Sequence, residues 1–288
     1  MAIKSKFNAF DIFNIVFIVL VGLVIFIPMW YIFIISTSTY SAYINDPFHL
    51  IPTSFTLQEY QRALLKSKEI LTSLWASVRI TVTGTLISML LTTIGGYALS
   101  KDGLPGRKIL FRIFIVTMFF SGGLAPSYIL ITKLHMTNTI WALTIPGAIS
   151  TYNMILMKNF FTSIPPSLEE AAKIDGYNDL QILFRIVLPL SKPVLAAISL
   201  FYAVGYWNDY FSAILYSSSQ DLMPFQMYLR NLIIINAAAA KAGVETGISA
   251  YEQFKMAVVI VGIVPVVAIY PFVQKYFTKG IVLGAVKE

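Results

Sequence analysis

The residues of this sequence whose types and spacing most clearly indicate a specific role lie in a short segment, residues 163–193. Two acidic residues, Glu169 and Glu170, precede a pair of alanines, and Asp175 and Gly176 follow them. Acidic side chains are stabilised in the first turn of a helix by the helix dipole. Glycine tolerates the positive φ at which a helix often ends. The order of these residues therefore predicts a short helix that begins near the acids and stops at Gly176.

The two alanines, Ala171 and Ala172, keep this predicted helix narrow enough to enter a groove on another protein. Two prolines end the preceding helix, because proline cannot continue one, and Ser167 is the expected N-cap of the new helix. Asn178 or Asp179 can begin a second helix. Its apolar stripe recurs at helical spacing and consists of Leu180, Leu183, Phe184 and Val187. The segment is therefore expected to serve docking.

A second group of polar residues lies within long apolar stretches. Trp207, Asn208 and Asp209 are consecutive, and Asp209 is the one acid inside a predicted membrane span, where charges are costly and usually face a cavity or a partner. This group is a candidate lining for a cavity between the helices, with helix packing near the outer interface as the equal alternative. Tyr152 and Asn153 are weaker candidates, for which interhelical packing is the favoured interpretation.

The composition excludes several kinds of chemistry. The chain has no cysteine, which removes disulfides, thiol catalysis and cysteine-ligated metals. Its two histidines, His49 and His135, are too few for a histidine-rich metal site. No Gly-Lys dipeptide occurs in the sequence, so the chain lacks the P-loop that would cradle the phosphates of ATP. We therefore expect no ATP binding, no metal and no cofactor in this chain.

The elements that must position these residues are membrane helices. Of the 288 residues, 57% are hydrophobic and 12% charged, against about 25% charged in soluble domains. Long uncharged runs approach or exceed the roughly 20 residues that a spanning helix needs. They predict an all-α membrane protein with six spans, near residues 12–35, 76–100, 110–132, 138–159, 194–216 and 256–276. The whole chain, residues 1–288, is expected to form one transmembrane domain.

Details within and between the spans follow from helix breakers and charge. Gly122, Gly123 and Pro126 are expected to bend the third span, and Pro146 interrupts the fourth. Residues 58–68 look like a short surface helix, and residues 224–240 like an amphipathic one. Lys and Arg are more frequent in the connections on one side, and the positive-inside rule then places both termini and residues 163–193 in the cytoplasm.

At this point the sequence resembles a known family. The pattern Glu-Ala-Ala, three residues, Gly, nine residues, Ile, one residue, Leu-Pro is the signature of inner-membrane permease subunits of binding-protein-dependent ABC importers. It is matched here by Glu170-Ala171-Ala172, Gly176, Ile186 and Leu188-Pro189. Three further segments resemble the carbohydrate-importing branch, namely Asp175 before Gly176, Trp207-Asn208-Asp209 and residues 276–288. Residues 120–126 resemble a subgroup associated with complex oligosaccharides.

The resemblance implies a function and a set of partners. Residues 163–193 would form a cytoplasmic coupling loop that docks in a cleft of an ATPase subunit, where Glu170 would pair with a basic residue. The chain would be a non-catalytic subunit of the bacterial cytoplasmic membrane that imports an oligosaccharide by alternating access. Its partners would be a second permease, two ATPase subunits that bind ATP and Mg²⁺, an extracytoplasmic solute-binding protein and the lipid bilayer, with no nucleic acid.

Two alternatives remain at this stage. The nearest is a permease of an amino-acid or peptide ABC importer, since its loop motif is similar. The other is a secondary transporter driven by an ion gradient, which would favour buried charge relays and inverted repeats. The sequence has a single intramembrane acid and no visible repeat. A membrane enzyme would need a convergent polar cluster within the spans, and none is visible.

Overall fold

The computed structural model describes residues 8–46, 50–51, 54–241 and 248–285, and His49 lies outside these ranges. Every regular element within them is a helix, so the all-helical class predicted from the sequence is confirmed for the described residues. The chain divides into two compact units. One unit contains Met1–Lys68 and Asn231–Ile263, and the other contains Glu69–Arg230 and Val264–Glu288.

The first unit is built on a long apolar helix, α1 (Ala9–Thr37), of 29 residues. Its start is closed by a capping box, in which the backbone N–H of Asn8 donates to Asp11 Oδ2 at 2.9 Å. The short helices α2 (Tyr40–Asn45) and α3 (Gln58–Gln61) follow, and α3 continues as a π turn over Arg62–Lys66. The predicted surface helix at residues 58–68 is therefore present but irregular.

The end of α1 is buried and its polar groups are paired. The hydroxyls of Ser36 and Tyr60 lie 2.7 Å apart, and Gln253 Nε2 donates to the carbonyl of Ser38 at 2.7 Å. Burial raises the pKa of the Tyr60 phenol, and its hydrogen bond with Ser36 lowers it in part. These contacts satisfy backbone and hydroxyl groups that burial would otherwise leave unpaired.

The second unit contains most of the remaining helices. Its first half consists of α4 (Lys68–Ser100), α5 (Arg107–Phe119), α6 (Leu124–Lys133), α7 (Ile140–Thr144) and α8 (Thr151–Thr162). Its second half holds α9 (Pro166–Ile174), α10 (Asp179–Ile182), a π turn (Leu183–Val187), α11 (Leu188–Leu190), α12 (Lys192–Asn208), α13 (Phe211–Tyr216) and a 3₁₀ turn (Gln220–Leu222). Two last helices, α14 (Phe225–Lys241) and α15 (Ile248–Ala285), each contribute to both units. The helix expected at residues 224–240 is thus present as α14.

Three helical segments in the described ranges are long and apolar enough to cross a membrane: Ala9–Thr37, Lys68–Ser100 and Tyr251–Pro271. The number rises to five if each of two sharply bent helix pairs counts as one span, namely Arg107–Phe119 with Leu124–Lys133 and Asp179–Leu190 with Lys192–Asn208. The structure thus supports three to five spans. The count of six stays a prediction, because the fourth predicted span is broken.

The bend expected in the third span is confirmed. Helix α5 ends at Phe119 and α6 begins at Leu124, and the two helices meet at 116°. Gly123, which precedes α6, has a φ of +86°, a conformation that favours glycine because it has no Cβ. Pro126 lies in the first turn of α6, where a proline is tolerated.

Two other predicted spans are shorter than expected. The fourth is divided by Pro146 into α7, which ends at Thr144, and α8, which begins at Thr151. The fifth prediction ran through Asp209, but α12 ends at Asn208 and Asp209 lies in a break before α13. The placement of Asp209 inside a continuous helix is therefore wrong, because its extended backbone (ψ 100°) interrupts the helix.

One face of α4 carries small residues at every fourth position: Gly84, Ser88, Thr92 and Gly96, all buried. A Cβ added at Gly84 would lie 2.6 Å from the ring of Tyr206 in α12, and one at Gly96 would lie 2.9 Å from a methionine of α8. Small residues at this spacing let helix backbones approach closely, which is how helices associate within a membrane. The small residues of α4 therefore leave room for the Tyr206 ring of α12 and for the methionine of α8.

Candidate functional site

The segment between α8 and α12 forms two short helical stretches that meet at Gly176, as the sequence predicts. The first, α9, begins at Pro166 with Pro165 as its N-cap. The expectation that Ser167 caps this helix is wrong, since Ser167 is already inside the first turn. Proline suits the first helical position because its φ is fixed near the helical value and its missing N–H needs no partner there.

The two acids of α9 have different environments. Glu169 forms an ion pair with Lys101 just beyond the end of α4, and the two side chains are 18% and 29% exposed. Glu170 is exposed and makes no ion pair among the described residues. Glu169 therefore ties α9 to its own chain, and Glu170 is left open to the solvent.

The two alanines divide in the same way. Ala172 is 3% exposed and belongs to the hydrophobic core of this unit, together with Ile182, Leu183 and Val187. Ala171 is exposed beside Glu170. One small residue thus lets α9 pack against the chain, and the other keeps its outer surface flat.

Gly176 ends α9 with a φ of +82°. The backbone N–H of Tyr177 donates to the carbonyl of Ala172 at 3.0 Å, and the N–H of Gly176 donates to the carbonyl of Lys173 at 3.1 Å. This pair of bonds is the Schellman motif, which satisfies the last carbonyls of a helix and usually requires glycine. The predicted stop at Gly176 is confirmed, and Asp175 is the exposed residue at the C-cap.

The second stretch begins with a capping box. Asn178 Oδ1 accepts from the N–H of Gln181 at 2.9 Å, and the N–H of Asn178 donates to Gln181 Oε1 at 3.0 Å. The predicted apolar stripe is divided rather than continuous. Leu183 and Val187 are buried, and Leu180 and Phe184 are 65% and 61% exposed.

A chain of contacts joins α9 to the membrane helices of the same unit. The Lys101 ammonium that pairs with Glu169 also lies 4.2 Å from the centroid of the Tyr97 ring. That ring in turn packs edge-to-face on Phe161 of α8, with centroids 6.2 Å apart. These contacts link α9 to both α4 and α8.

The second predicted group, residues 207–209, does not converge on one cavity. Trp207 is 6% exposed and lines an apolar cavity of about 140 Å³ with residues of α4, α12 and α15. The side-chain amide of Asn208 donates to the carbonyl of Val204 at 3.0 Å. Asp209 Oδ1 accepts from the N–H of Ser212 at 3.1 Å and so caps α13. Asn208 and Asp209 thus both lie at the end of α12, and Asn208 is also exposed.

Tyr152 and Asn153 lie in the first turn of α8 and diverge. Tyr152 is 57% exposed and Asn153 is 5% exposed. The backbone N–H of Asn153 donates to Ser150 Oγ, the N-cap of α8, at 3.4 Å. Asn153 is therefore buried within the unit, and Tyr152 is open to the solvent.

Two tyrosines that the sequence analysis did not single out hold the broken fourth span. The Tyr206 hydroxyl donates to the carbonyl of Thr144 at 2.8 Å and lies 3.0 Å from Ser88 Oγ. A phenol has one proton, and since this proton goes to Thr144, Ser88 is the donor to Tyr206. The last carbonyl of α7 is thereby satisfied from α12.

Tyr202 does the same on the other side of the break. Its hydroxyl accepts from the backbone N–H of Ser150 at 3.1 Å and lies 2.7 Å from Thr92 Oγ1. Non-helical backbone at membrane depth is tolerated where other protein groups satisfy it. The spacing was visible in the sequence, since both the tyrosines and the residues Ser88 and Thr92 are four positions apart, which is one face of a helix.

The described residues contain no cluster of three or more acidic or histidine side chains that could hold a metal ion. What the arrangement can do is mechanical. It presents a helix with an exposed acid and an exposed small residue on one surface, and its opposite surface contacts residues next to α4 and α8.

Known proteins resemble this chain over nearly its full length. Residues 4–282 match the sequence model of the family described as binding-protein-dependent transport system inner membrane component. The chain is 42% identical to the polygalacturonan/rhamnogalacturonan transport system permease protein YtcP of Bacillus subtilis (98% of this chain, 99% of the relative). It is 40% identical to protein LplC of the same species, over 97% and 95% of the two chains.

A solved structure is also similar. It is a crystal structure of a bacterial ABC transporter involved in the import of the acidic polysaccharide alginate. One of its chains superposes with a TM-score of 0.84 and 35% identity, over 95% of this chain and 100% of that chain. The likeness therefore covers nearly the full length of both molecules.

Proposed function

The chain belongs to the family of binding-protein-dependent transport system inner membrane components, among the carbohydrate ABC permeases, and from that membership we propose that it moves an oligosaccharide into the cytoplasm by ATP-driven alternating access. It acts as a non-catalytic subunit that spans the membrane several times. The proposal assigns residues 163–193 to a coupling loop and treats residues 1–288 as one permease domain. Six spans, with both termini in the cytoplasm, are part of the same proposal.

The observation that carries the coupling role is the divided surface of α9. Glu170 and Ala171 are exposed side by side, while Glu169 and Ala172 face the chain itself. A helix entering a cleft needs a slim outer surface and a charge that a basic residue in the cleft can bind. Both are present on the side of α9 that its own chain leaves open.

Exposed apolar side chains beside this surface support docking. Ile174 at the end of α9 is 87% exposed, and Leu180 and Phe184 on the second stretch are also largely exposed. Contiguous apolar exposure is typical of surfaces that bind another protein. We propose that these three residues cover the rim of the ATPase cleft, with Asp175 and Gly176 at the turn between the two helical stretches.

Energy would reach the membrane through the chain of contacts described above. Coupling requires an element with two arrangements that both sites bias. Movement of α9 towards its counterpart on the second permease would shift Lys101, Tyr97 and Phe161 together, and with them α4 and α8. In this proposal, ATP and Mg²⁺ are bound by two partner ATPase subunits. An extracytoplasmic solute-binding protein delivers the sugar.

The substrate class is proposed from the relatives. Their names refer to polygalacturonan, rhamnogalacturonan and alginate, which supports an oligosaccharide containing acidic sugars for this chain. The path would include Trp207, Asn208 and Asp209, with Tyr152 and Asn153 as weaker members. Of these five, Tyr152 and Asn208 are exposed and are the ones we propose for direct contact with the sugar.

The coupling role is tested by Glu170→Lys in the complete transporter. A charge buried at an interface without its partner typically costs about 2–5 kcal/mol of binding, so docking should weaken by at least tenfold. We expect uptake of the oligosaccharide to be lost, as well as stimulation of the ATPase by the loaded binding protein. The amount of protein in the membrane should be unchanged.

A matched control is Asp179→Lys, which makes the same charge change in the same loop. Asp179 is exposed, and its ion pair with Lys173, at 3.7 Å, is also exposed, where such pairs contribute little. This variant should retain uptake. The coupling role would be refuted by normal uptake in Glu170→Lys, or by equal loss of uptake in both variants.

A further inference from the structure

A basic cavity of about 720 Å³ lies at the connection between α4 and α5. Four cationic side chains line it, namely Arg107, Lys108, Arg112 and Lys158, and one acid, Asp102, lies among them. The cavity is separate from the exposed surface of α9 that is proposed to dock. A cavity of this size and charge suits an anionic group larger than a single ion.

The acid does not neutralise the cations. Asp102 forms an ion pair with Arg107, whose Nε also donates to the carbonyl of Leu99 at 2.8 Å. Lys108 and Arg112 make no ion pair among the residues that the structure describes. Among the described residues, Lys158 forms no ion pair, and its Nζ lies 3.4 Å from its neighbour's amide oxygen and 5.3 Å from the centroid of the Phe111 ring. Three positive charges therefore face the cavity without a carboxylate.

The unpaired positive charges on α5 lie at positions where they destabilise the helix. Lys108 and Arg112 are four residues apart on α5, and like charges at this spacing repel. Lys108 lies in the first turn of the helix, where the dipole also disfavours cations, and this turn holds no acid. An anion bound in the cavity would remove this repulsion.

The residues next to the cavity indicate which kind of anion would bind there. Ile109, Leu110 and Ile113 on α5 are 63%, 44% and 56% exposed. Helix α5 is the first half of a bent candidate span. Its cations lie at the start of that span, where lysine and arginine side chains can reach lipid headgroups, and the exposed apolar side chains beside them offer a surface to the acyl chains. An acidic protein segment would pair with the cations, but it would leave the apolar surface beside them exposed.

We propose that this cavity binds the phosphodiester headgroup of an anionic phospholipid, such as phosphatidylglycerol, whose acyl chains lie along α5. Lys108 and Arg112 contact the phosphate, and Lys158 closes the cavity from α8. Basic pockets between membrane helices are known to hold anionic headgroups. The proposal depends on α5 being a membrane helix, and it does not depend on the transported substrate.

The test compares the complete transporter in nanodiscs of phosphatidylcholine with and without phosphatidylglycerol. Phosphatidylglycerol retained after purification is counted by native mass spectrometry. The variant is Lys108→Gln with Arg112→Gln. The control is Lys66→Gln with Lys133→Gln, which removes two positive charges elsewhere. Each cation near an anionic headgroup strengthens lipid binding by about fivefold. Removing two cations should therefore weaken retention by about thirtyfold in the variant, and retention in the control should not change.

Other outcomes would overturn the proposal. Equal retention in variant and control would show that the cavity is not the lipid site. If inorganic phosphate alone displaced phosphatidylglycerol at low concentration, the site would be one for a free anion. Loss of the ATPase subunits from the purified variant, with lipid retention unchanged, would identify the cavity as a protein contact. Lipid retention is measured without transport, so failure of the proposed function would leave this result intact.

Discussion

The hydrogen bonds across the broken fourth span predict how much stability is lost when one hydroxyl group is removed. In Tyr206→Phe, the hydroxyl that donates to the carbonyl of Thr144 is removed. Thr144 is fully buried, and the N–H of Ala148, which a continuous helix would offer it, bonds to Ile145 instead. The carbonyl is then left without a partner.

The expected cost follows from that orphaned group. A buried acceptor without a partner costs about 1–3 kcal/mol, while side-chain hydrogen bonds measured within membrane proteins average about 0.6 kcal/mol. We expect Tyr206→Phe to lower the free energy of unfolding by about 1–2 kcal/mol. Ser88→Ala should cost less, because Tyr206 then loses a donor but keeps its own bond to Thr144.

The assay is reversible unfolding of the purified subunit in mixed detergent micelles, followed by tyrosine and tryptophan fluorescence. Tyr210→Phe is the matched control, since Tyr210 is 40% exposed and the substitution is the same. A Tyr206→Phe variant as stable as Tyr210→Phe would refute the argument. So would a larger cost for Ser88→Ala than for Tyr206→Phe, because the proton would then lie in the opposite direction.

Two further pairs of substitutions test the packing of α4 and the assignment of the two faces of α9. Gly84→Ala should cost about 1–3 kcal/mol of stability, because its Cβ would lie 2.6 Å from a tyrosine ring held by hydrogen bonds; Gly22→Ala, with no atom within 4 Å, should be neutral or stabilising in the same unfolding assay. Ala171→Trp should abolish uptake without loss of stability, since Ala171 is exposed, whereas Ala172→Trp should destabilise the subunit, since Ala172 is buried. Equal stability of the two tryptophan variants would contradict the assignment of the two faces.

Helix ends in this chain could be predicted because they depend on local chemistry. Gly176 stops α9, and Gly123 lies at the bend of the third span, in each case with the positive φ that only glycine adopts freely. Pro146 divides the fourth span for the equally local reason that it lacks an N–H. Ser167 is the exception, since α9 begins one residue earlier, at Pro166, with Pro165 as its N-cap.

Pairing between distant segments could not be predicted in the same way. Trp207, Asn208 and Asp209 are adjacent in the sequence and suggested a single site, but a break after Asn208 sends their side chains to different partners. The role of Tyr202 was missed because its partners are distant in the sequence. Tyr202 looks like one more aromatic residue of an apolar helix, and its role depends on Thr92 and Ser150, far away in the chain.

The two acids of α9 show why this distinction matters for coupling. Neighbouring residues on a helix point in directions about 100° apart, so the sequence implies that Glu169 and Glu170 differ without indicating which one faces inward. Lys101, 68 positions before Glu169, decides it. If both acids faced outward, α9 would dock on an ATPase but would lose its ionic link to α4. If both faced inward, the link would remain without a charge for the partner. The proposed coupling role requires one acid on each side of the helix, and α9 has that arrangement, with Glu169 paired to Lys101 and Glu170 exposed.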